Sequence, residues 1–234
     1  MLGTIVNVVA IIAGAVIGIL IKKNISEKVS TAVVTSLGVT TFFIGIKGAL
    51  VGEKTLILVL SVAIGTMIGT IIDIDKYIGK FGEFLKKKFQ KIIKDESSLK
   101  FVDAFVSASV LFGVGAMAIL GSIDAGLKHN YEILFLKSVM DFTCAIMYGS
   151  TMGIGVAFSA ITIFIVEGTL TICASFLTFL VENEPMMNEI TATGNMLLIV
   201  LGLNLMGITK IKVANMLPAI ILCPILYYFL GQVL

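Results

Sequence analysis

Long apolar runs alternate with short polar connections along the whole chain. A helix needs about 20 apolar residues to cross the hydrocarbon core of a membrane. Eight runs come close to or exceed this length, so the pattern predicts an all-α, polytopic transmembrane helix bundle of about eight spans. The predicted spans are 4–21, 30–51, 56–73, 101–121, 133–149, 152–181, 190–208 and 213–232.

The composition excludes the water-soluble classes. The chain has 234 residues, of which 58% are hydrophobic and 14% are charged. A soluble domain has about 45–50% apolar and about 25% charged residues, and a fold of this size cannot bury such an excess. The formal net charge of +2 gives no reason to expect nucleic acid as a partner. We therefore expect the lipid bilayer to surround a single integral membrane domain, 1–234.

The basic residues are clustered, and this predicts an orientation. All 17 are lysines; three lie in 22–29, eight in 74–100, and two are Lys210 and Lys212. The positive-inside rule places these connections in the cytoplasm. Eight crossings with both termini outside satisfy every connection, and we expect the first span to be retained rather than cleaved as a signal peptide.

The connection 74–100 is predicted to be a cytoplasmic, basic and amphipathic segment. Within 76–96, aromatic and aliphatic residues recur at helical spacing while lysines fill the remaining face. A helix of this kind lies in the membrane interface. It serves either as a topology anchor or as a sensor of lipids or partners.

The sixth run, 152–181, is too long for a simple span. Thirty helical residues would be about 45 Å long, against about 30 Å of hydrocarbon. Glu167 and Gly168 lie in the middle of this run. We therefore predict one tilted or broken crossing with the break near 166–169.

The second and seventh spans resemble each other. Gly38 matches Gly194 and, with a one-residue gap, Gly45 matches Gly202. Because the two spans are predicted to cross in opposite directions, the chain is expected to contain an inverted three-helix repeat around a central helix pair. The first span would then correspond to the sixth, and the third to the eighth. Inverted repeats recur in secondary transporters, with the binding site near the membrane midplane.

Two spans carry pairs of small residues at the spacing of close helix packing. Gly14 and Gly18 form one GxxxG motif, and Gly65 and Gly69 form another. Such faces let helix backbones approach closely. They predict packing within the chain, and they are also the candidate faces for a homo-oligomer.

Ionisable residues inside spans are the leading candidates for an ion or substrate site, because placing them in a membrane is costly. Asp141 lies in the middle of its span, and Lys137 is one helical turn before it. The two either form a structural ion pair or bind an exchangeable proton or cation. Glu167 is the second carboxylate candidate. Glu189, near the start of its helix, is expected to be interfacial.

Neutral polar residues extend this set. Asn7, Asn195 and Asn204 lie in spans or at their edges, where they either line a substrate path or form interhelical hydrogen bonds. The candidate ion or substrate site is therefore Asp141, Glu167, Asn7, Asn204, Asn195 and Lys137.

Motifs for catalysis or nucleotide binding are absent from the sequence. There is no Walker loop, GxGxxG or HExxH, and there is one histidine in the chain. The three cysteines lie apart in apolar stretches without metal-ligand spacing. We expect no catalytic residues, no metal and no cofactor, and hence a protein that is not an enzyme.

Four segments carry a resemblance to a known family. They are GTIVNVVAIIAGAVIG, VSASVLFGVGAMAILGSIDAGL, LKSVMDFTCAIMYGSTMGIGVAFSA and ITATGNMLLIVLGLNLMGITKIKVANMLPA. Together they resemble the YqgA/YdfK-like family of uncharacterised bacterial inner-membrane proteins, a domain of unknown function. The resemblance implies a multi-pass protein of a prokaryotic plasma membrane with a transport role. It also implies that relatives often have glutamine where this chain has Glu167, and a second glycine where it has Asn195.

These observations favour a secondary transporter of an ion or small solute that uses buried carboxylates. An ion channel would line a continuous pore with the same groups. A membrane scaffold or sensor without transport would act through 74–100.

Overall fold

The computed structural model describes residues 1–22, 27–88, 98–113 and 116–230. Within these residues the chain is helical, without a β-strand, which confirms the predicted all-α bundle. The helices are α1 (Leu2–Lys22), α2 (Glu27–Ala49), α3 (Thr55–Ile72), α4 (Ile74–Lys88), α5 (Ser98–Gly113), α6 (Ala116–Leu127), α7 (Glu132–Met152), α8 (Gly155–Ile172), α9 (Thr178–Glu182), α10 (Glu184–Leu205) and α11 (Pro218–Leu230). Short 3-10 helices lie at Ala174–Phe176 and Val213–Met216.

Most of these helices can span a membrane. In the described part of the chain, 7 are long and apolar enough to do so, and α5 and α6, inclined by 61° to each other, make an eighth if they form one span. Many of their large apolar side chains are exposed on the outside of the protein, such as Ile71, Val139 and Ile172. Such surfaces suit contact with lipid rather than with water.

The chain folds as two compact units. The first contains α1 and α5–α8, with the described residues of Met1–Val34, Ile78–Gly113 and Met117–Phe176. The second contains α3, α10, α11 and most of α2, with the described residues of Thr35–Tyr77 and Leu177–Leu234. Each unit therefore combines helices that are distant in sequence.

In the first unit, α1 and α7 pack side by side and run in the same direction. Gly3 lies against Leu134, and Gly18 lies against Ile146. A Cβ atom at Gly18 would overlap the Ile146 carbonyl oxygen, so the two backbones are in direct contact there. Helices α5 and α8 also run in the same direction. Gly155 lies against Phe101 near the start of both helices, and Gly113 lies near Ile163 further along.

In the second unit, two helix pairs run antiparallel. In the α2–α10 pair, Gly38 lies against Gly202 and Gly45 against Asn195. In the α3–α11 pair, Gly65 lies against Ala219, while Gly69 lies against the backbone of the 3-10 turn that precedes α11. Glycines thus bring the backbones together in both units.

The helix directions agree with the topology expected from the lysines. That topology has the first and fifth spans crossing inward, so that α1 and α7 should be parallel, as they are. In the same topology the second and seventh spans cross in opposite directions, and the α2–α10 pair is antiparallel. The third and eighth spans also cross in opposite directions, and the α3–α11 pair is antiparallel. The side of the membrane on which the lysines lie stays a prediction.

The expected break near 166–169 is wrong. Helix α8 runs without interruption through Glu167 and Gly168, and it ends at Ile172. The long apolar run is instead divided at Gly153, whose φ is +93°, and again after Ile172. A glycine inside a helix costs only about 1 kcal/mol relative to alanine, which the packing of the unit offsets.

Both GxxxG faces are occupied within the chain. Gly14 and Gly18 contact α7, while Gly65 and Gly69 contact α11 and the turn before it. The expected packing role is therefore correct. That these faces also join two copies of the chain stays a prediction.

The predicted amphipathic connection is a helix over its described part, α4 (Ile74–Lys88). Leu85 is buried with Phe101 and Phe105, whereas Tyr77 and Phe84 are exposed beside the lysines. Exposed aromatic residues flanked by lysines suit a membrane interface. The remainder of the expected segment, 89–97, lies outside the described residues.

We expect Gly18→Ala to destabilise the protein strongly and Gly168→Ala to have little effect. The new Cβ at position 18 meets backbone atoms of α7, whereas at position 168 the nearest neighbour is the Met1 Cε atom at 3.5 Å, an ordinary contact. Overpacking against backbone costs about 1–3 kcal/mol or more. Thermal unfolding of the two variants in detergent checks this, and equal midpoints would contradict it.

Candidate functional site

Three helices of the first unit bring four of the predicted site residues together. Helix α1 carries Asn7, α7 carries Lys137 and Asp141, and α8 carries Glu167. We call these four residues the carboxylate cluster. Asp141 and Glu167 are therefore neighbours in the fold. They lie 26 positions apart in the sequence, on two helices joined by the turn at Gly153.

Hydrogen bonds and ion pairs connect all four members. The Asn7 side-chain amide donates to Asp141 Oδ2 at 3.0 Å and to Glu167 Oε1 at 2.8 Å. The Lys137 ammonium donates to Asp141 Oδ2, and its Nζ atom lies 3.5 Å from Glu167 Oε1. Asn7 and Lys137 thus each bridge the two carboxylates.

The carboxylate cluster is shielded from the surroundings. Asn7 and Glu167 have no exposed surface, and Lys137 and Asp141 are buried. The sequence spacing explains part of this, since residues four apart on α7 share one helix face. That face points to α1 and α8 rather than to lipid. The hypothesis that Asp141 faces the protein interior is therefore correct.

The charges of the carboxylate cluster do not balance. With both carboxylates ionised it holds two negative charges against the single ammonium of Lys137. A buried, uncompensated charge is very costly, so such groups bind a partner ion or become neutral. One additional positive charge, either a proton or a monovalent cation, would therefore make the carboxylate cluster neutral.

Three buried oxygen atoms on α1 and α8 have no hydrogen-bond partner among the described residues. They are Thr4 Oγ1, Asn7 Oδ1 and Glu167 Oε2. Unpaired buried polar atoms are rare in folded proteins and indicate a bound water, ion or proton. Thr4 was missed in the sequence, although its position three residues before Asn7 places it on the same face of α1.

The other two predicted site residues belong to the second unit and have local roles. The Asn195 amide donates to the Thr191 carbonyl at 2.8 Å, and its side chain packs against Gly48. Asn204 holds the turn after α10, where it accepts from the Ile211 N–H at 3.0 Å and donates to the Ile211 carbonyl at 2.7 Å. Asn204 therefore fixes this turn, and its expected role in a substrate path stays a prediction.

Glu189 lies near the start of α10, as expected, and its side chain is buried, with 2% exposed. Its position at the membrane interface stays a prediction. Its Oε1 atom accepts the backbone N–H groups of Glu53 and Lys54, both at 2.7 Å, just before α3 begins. Glu189 thus stabilises the amino end of another helix, where unpaired N–H groups and the helix dipole favour an anion.

Polar contacts at the opposite end of α3 fix the turn before α11. The Lys212 ammonium donates to Asp73 at 2.9 Å, which lowers the pKa of the Asp73 carboxyl and raises that of Lys212. Asn215 accepts the Asp75 N–H at 2.8 Å, and partial burial raises the pKa of Asp75. These contacts hold the turn before α11.

No group of three or more His, Cys, Asp or Glu side chains suited to a metal ion occurs in the described part of the chain. The carboxylate cluster offers two carboxylates and an amide. Such oxygen ligands suit hard monovalent cations or protons rather than transition metals.

The fold and the carboxylate cluster define a polytopic helical membrane protein with a buried charged site. The chain belongs to the family described as "Protein of unknown function (DUF554)", whose model matches residues 2–228. This confirms the resemblance found in the sequence.

Two bacterial relatives match almost the whole chain. The "Uncharacterized membrane protein YdfK" of Bacillus subtilis (strain 168) is 29% identical over 232 residues, which cover 97% of this chain and 96% of YdfK. The "Uncharacterized protein YqgA" of Escherichia coli (strain K12) is 28% identical over 221 residues, 94% of each chain. No solved structure matches the chain.

Proposed function

We propose that this protein is a secondary transporter in which the carboxylate cluster binds one exchangeable positive charge. The observation that carries the proposal is the charge balance of the cluster, two carboxylates against one ammonium in a buried site. The ligand is a proton or a monovalent cation, alone or coupled to a small solute. No chemical conversion is part of this role, so we do not propose an enzyme.

Lys137 gives the carboxylate cluster a second state. When the added cation is present, each carboxylate has a positive partner. When it leaves, the ammonium is shared between Asp141 and Glu167, which its contacts to both side chains allow. A carrier must release its ligand as well as bind it, so its site has to be stable both with and without the ligand.

Pairing of the second and seventh spans supports the inverted-repeat hypothesis. The sequence alignment equates Gly38 with Gly194 and Gly45 with Gly202. In the fold Gly38 lies against Gly202, and Gly45 lies against Asn195, the neighbour of Gly194. If each glycine is replaced by its match in the alignment, the Gly38–Gly202 contact becomes a Gly194–Gly45 contact. This is close to the observed contact between Gly45 and Asn195. Inverted repeats of this kind support alternating access in transporters.

We also propose that the protein resides in a prokaryotic plasma membrane. Support comes from the two bacterial relatives, one of which is named as a membrane protein, and from the clustered lysines. Clusters of lysine at one end of the spans match the positive-inside rule for such membranes.

Counterflow in proteoliposomes tests the proposed transport. Liposomes loaded with unlabelled Na⁺ or K⁺, or held at a set internal pH, are diluted into tracer cation or into a different pH. We expect exchange of the coupling ion without net current, since a carrier moves its ligand only when the site changes access. Empty liposomes and heat-inactivated protein are the controls.

Two results would contradict the proposal. Net current without counterflow would identify a channel instead. Absence of flux for protons and for every monovalent cation, combined with loss of cellular function when the α4 lysines are neutralised, would identify a scaffold or sensor.

A further inference from the structure

We propose that the positive charge bound by the carboxylate cluster is a proton, held on Glu167 as a neutral carboxyl that pairs with the Asn7 carboxamide. This inference rests on the proposed function in one respect, since it names the ligand of the same site. The proton on Glu167 is nevertheless a property of the folded chain that is measured without any flux. The proton and the proposed transport are therefore tested separately.

The Lys137 ammonium is the direct partner of Asp141 rather than of Glu167. It donates a hydrogen bond to Asp141 Oδ2. Its Nζ atom lies 3.5 Å from Glu167 Oε1, beyond the about 2.7–3.2 Å of an N–H···O hydrogen bond. A direct ion pair therefore keeps Asp141 ionised, whereas Glu167 lacks such a contact among the described residues.

Glu167 is also the more deeply buried of the two carboxylates. Its side chain has no exposed surface, whereas 12% of the Asp141 side chain is exposed. A buried carboxylate without a directly paired cation is costly when it is ionised. A single proton in the carboxylate cluster therefore lowers the free energy more on Glu167 than on Asp141.

Two unpartnered oxygens belong to side chains that are already joined to each other. The Asn7 Nδ2 amide donates to Glu167 Oε1 at 2.8 Å. The other oxygen of each side chain, Asn7 Oδ1 and Glu167 Oε2, is buried and has no hydrogen-bond partner in the described part of the chain. Both atoms are acceptors while Glu167 is ionised, so they do not bond to each other in that state.

One proton from the aqueous phase changes this situation. On Oε2 it turns an acceptor into an O–H donor, and Asn7 Oδ1 is an acceptor without a donor. A carboxyl and a carboxamide can share two hydrogen bonds in a closed ring, one N–H···O and one O–H···O. The first bond of this ring is the observed one, and the second is proposed. The same proton neutralises the surplus charge and gives both oxygens a partner.

A metal cation or a water molecule fits these contacts less well. The two groups that bridge the carboxylates, the Lys137 ammonium and the Asn7 amide N–H groups, are donors and repel a cation. A water molecule would donate to the unpartnered oxygens but would leave the surplus negative charge in place. A proton meets both requirements.

The charged groups that act on Glu167 come from one neighbouring helix. They are Lys137 and Asp141, both on α7. Other charged groups on helices near α8 lie toward the ends of those helices: the Met1 amino group, Lys100, Asp103, Asp124, Lys128 and Glu132. Protonation of Glu167 therefore acts on the Lys137–Asp141 pair, which remains neutral when the proton is bound.

Infrared difference spectroscopy of the full chain in detergent at neutral pH measures this proton. A protonated carboxyl has a C=O stretching band separate from the bands of a carboxylate. We expect Glu167→Gln to remove a component of this band. Asp141→Asn should remove the same component, because Lys137 then pairs with an ionised Glu167. Glu189→Gln, at a buried glutamate of the second unit, is the control that should leave this component in place.

Isotope labelling assigns the proton in the unaltered protein. Cell-free synthesis supplies glutamate or aspartate with ¹³C in the side-chain carboxyl. We expect the component to shift to lower frequency with labelled glutamate and to stay in place with labelled aspartate. This measurement does not depend on the folding of any variant.

Asn7→Ala tests the pairing with the carboxamide. It leaves the charge count unchanged, so the component should persist, but at the higher frequency of a carboxyl without these hydrogen bonds. Thr4→Val is the matched control on α1, because it also removes a buried and unpartnered oxygen. It should leave the frequency unchanged.

Several results would overturn the proposal. Equal carboxyl bands in wild type and Glu167→Gln would show that Glu167 is ionised, and a shift with labelled aspartate would place the proton on Asp141. A component that NaCl or KCl removes at constant pH would identify a metal cation as the ligand. An unchanged frequency in Asn7→Ala, or the same shift in Thr4→Val, would reject the pairing with Asn7.

Flux measurements separate this proposal from the proposed transport. Counterflow of Na⁺ or K⁺ by a protein without the Glu167 component would support transport and overturn the proton. The Glu167 component in a protein without any flux would support the proton and contradict the transport.

Discussion

Asp141→Asn is expected to leave the protein folded and to reduce flux to the level of empty liposomes. Asparagine has nearly the same shape and keeps an oxygen that can accept from Lys137 and Asn7. It removes the surplus negative charge of the carboxylate cluster, so that the remaining Lys137–Glu167 pair is neutral. The site then has no electrostatic reason to bind another cation.

Charge balance also explains why this variant should fold. Removing one partner from a balanced buried pair leaves a charge alone and is strongly destabilising. Here the substitution creates a balanced pair instead. We therefore expect its thermal midpoint to equal or exceed that of the wild type, which distinguishes loss of binding from loss of structure.

The measurement is flux per correctly folded molecule, over a range of pH and cation concentration. Glu167→Gln is the matched variant, because it also leaves one carboxylate with Lys137. The charge count predicts that Glu167→Gln also loses flux, since the remaining Lys137–Asp141 pair is neutral. Wild-type flux with unchanged pH dependence in Asp141→Asn would show that Asp141 is a packing residue.

The sequence was sufficient to find the members of the carboxylate cluster but not its arrangement. Ionisable residues inside apolar spans are few, so Asp141, Glu167 and Lys137 stand out without any structure. Their convergence with Asn7 joins positions separated by 134 and 160 residues, and no local pattern encodes such contacts. Which helices pack together depends on the tertiary fold.

Two positions show where local reasoning fails in a membrane helix. Glycine and glutamate at 167–168 suggested a break, but neighbouring helices of the unit stabilise a continuous α8. Glu189 was expected to interact with the dipole of its own helix, because it lies close to the start of α10. Its actual partners, the N–H groups before α3, are contributed by a segment more than a hundred residues earlier. A sequence pattern does not show which helix end a carboxylate will reach.

Lys137→Met is expected to give the largest loss of stability among substitutions in the carboxylate cluster. Methionine is similar in length and apolar, so the packing volume is nearly kept. Two buried carboxylates then face each other without an ammonium. Breaking a buried ion pair from one side costs about 3–5 kcal/mol, a large part of the about 5–15 kcal/mol that stabilises a typical folded protein.

Lys128→Met is the control that removes the same charge from an exposed ion pair, so that the effect of burial on stability can be measured. Lys128 also pairs with an aspartate four residues away, Asp124 at 2.9 Å, but its side chain is 65% exposed. An exposed pair contributes about 0–1 kcal/mol. Unfolding of the two variants in detergent should therefore give a large loss for Lys137→Met and a small one for Lys128→Met.

The double variant Lys137→Met/Glu167→Gln tests the charge count itself. The wild-type carboxylate cluster has one surplus negative charge, Lys137→Met has two, and the double variant again has one. We expect the second substitution to recover part of the lost stability, although it removes a further polar group from the cluster. Additive destabilisation by the two changes, or equal losses for Lys137→Met and Lys128→Met, would show that charge balance does not stabilise this site.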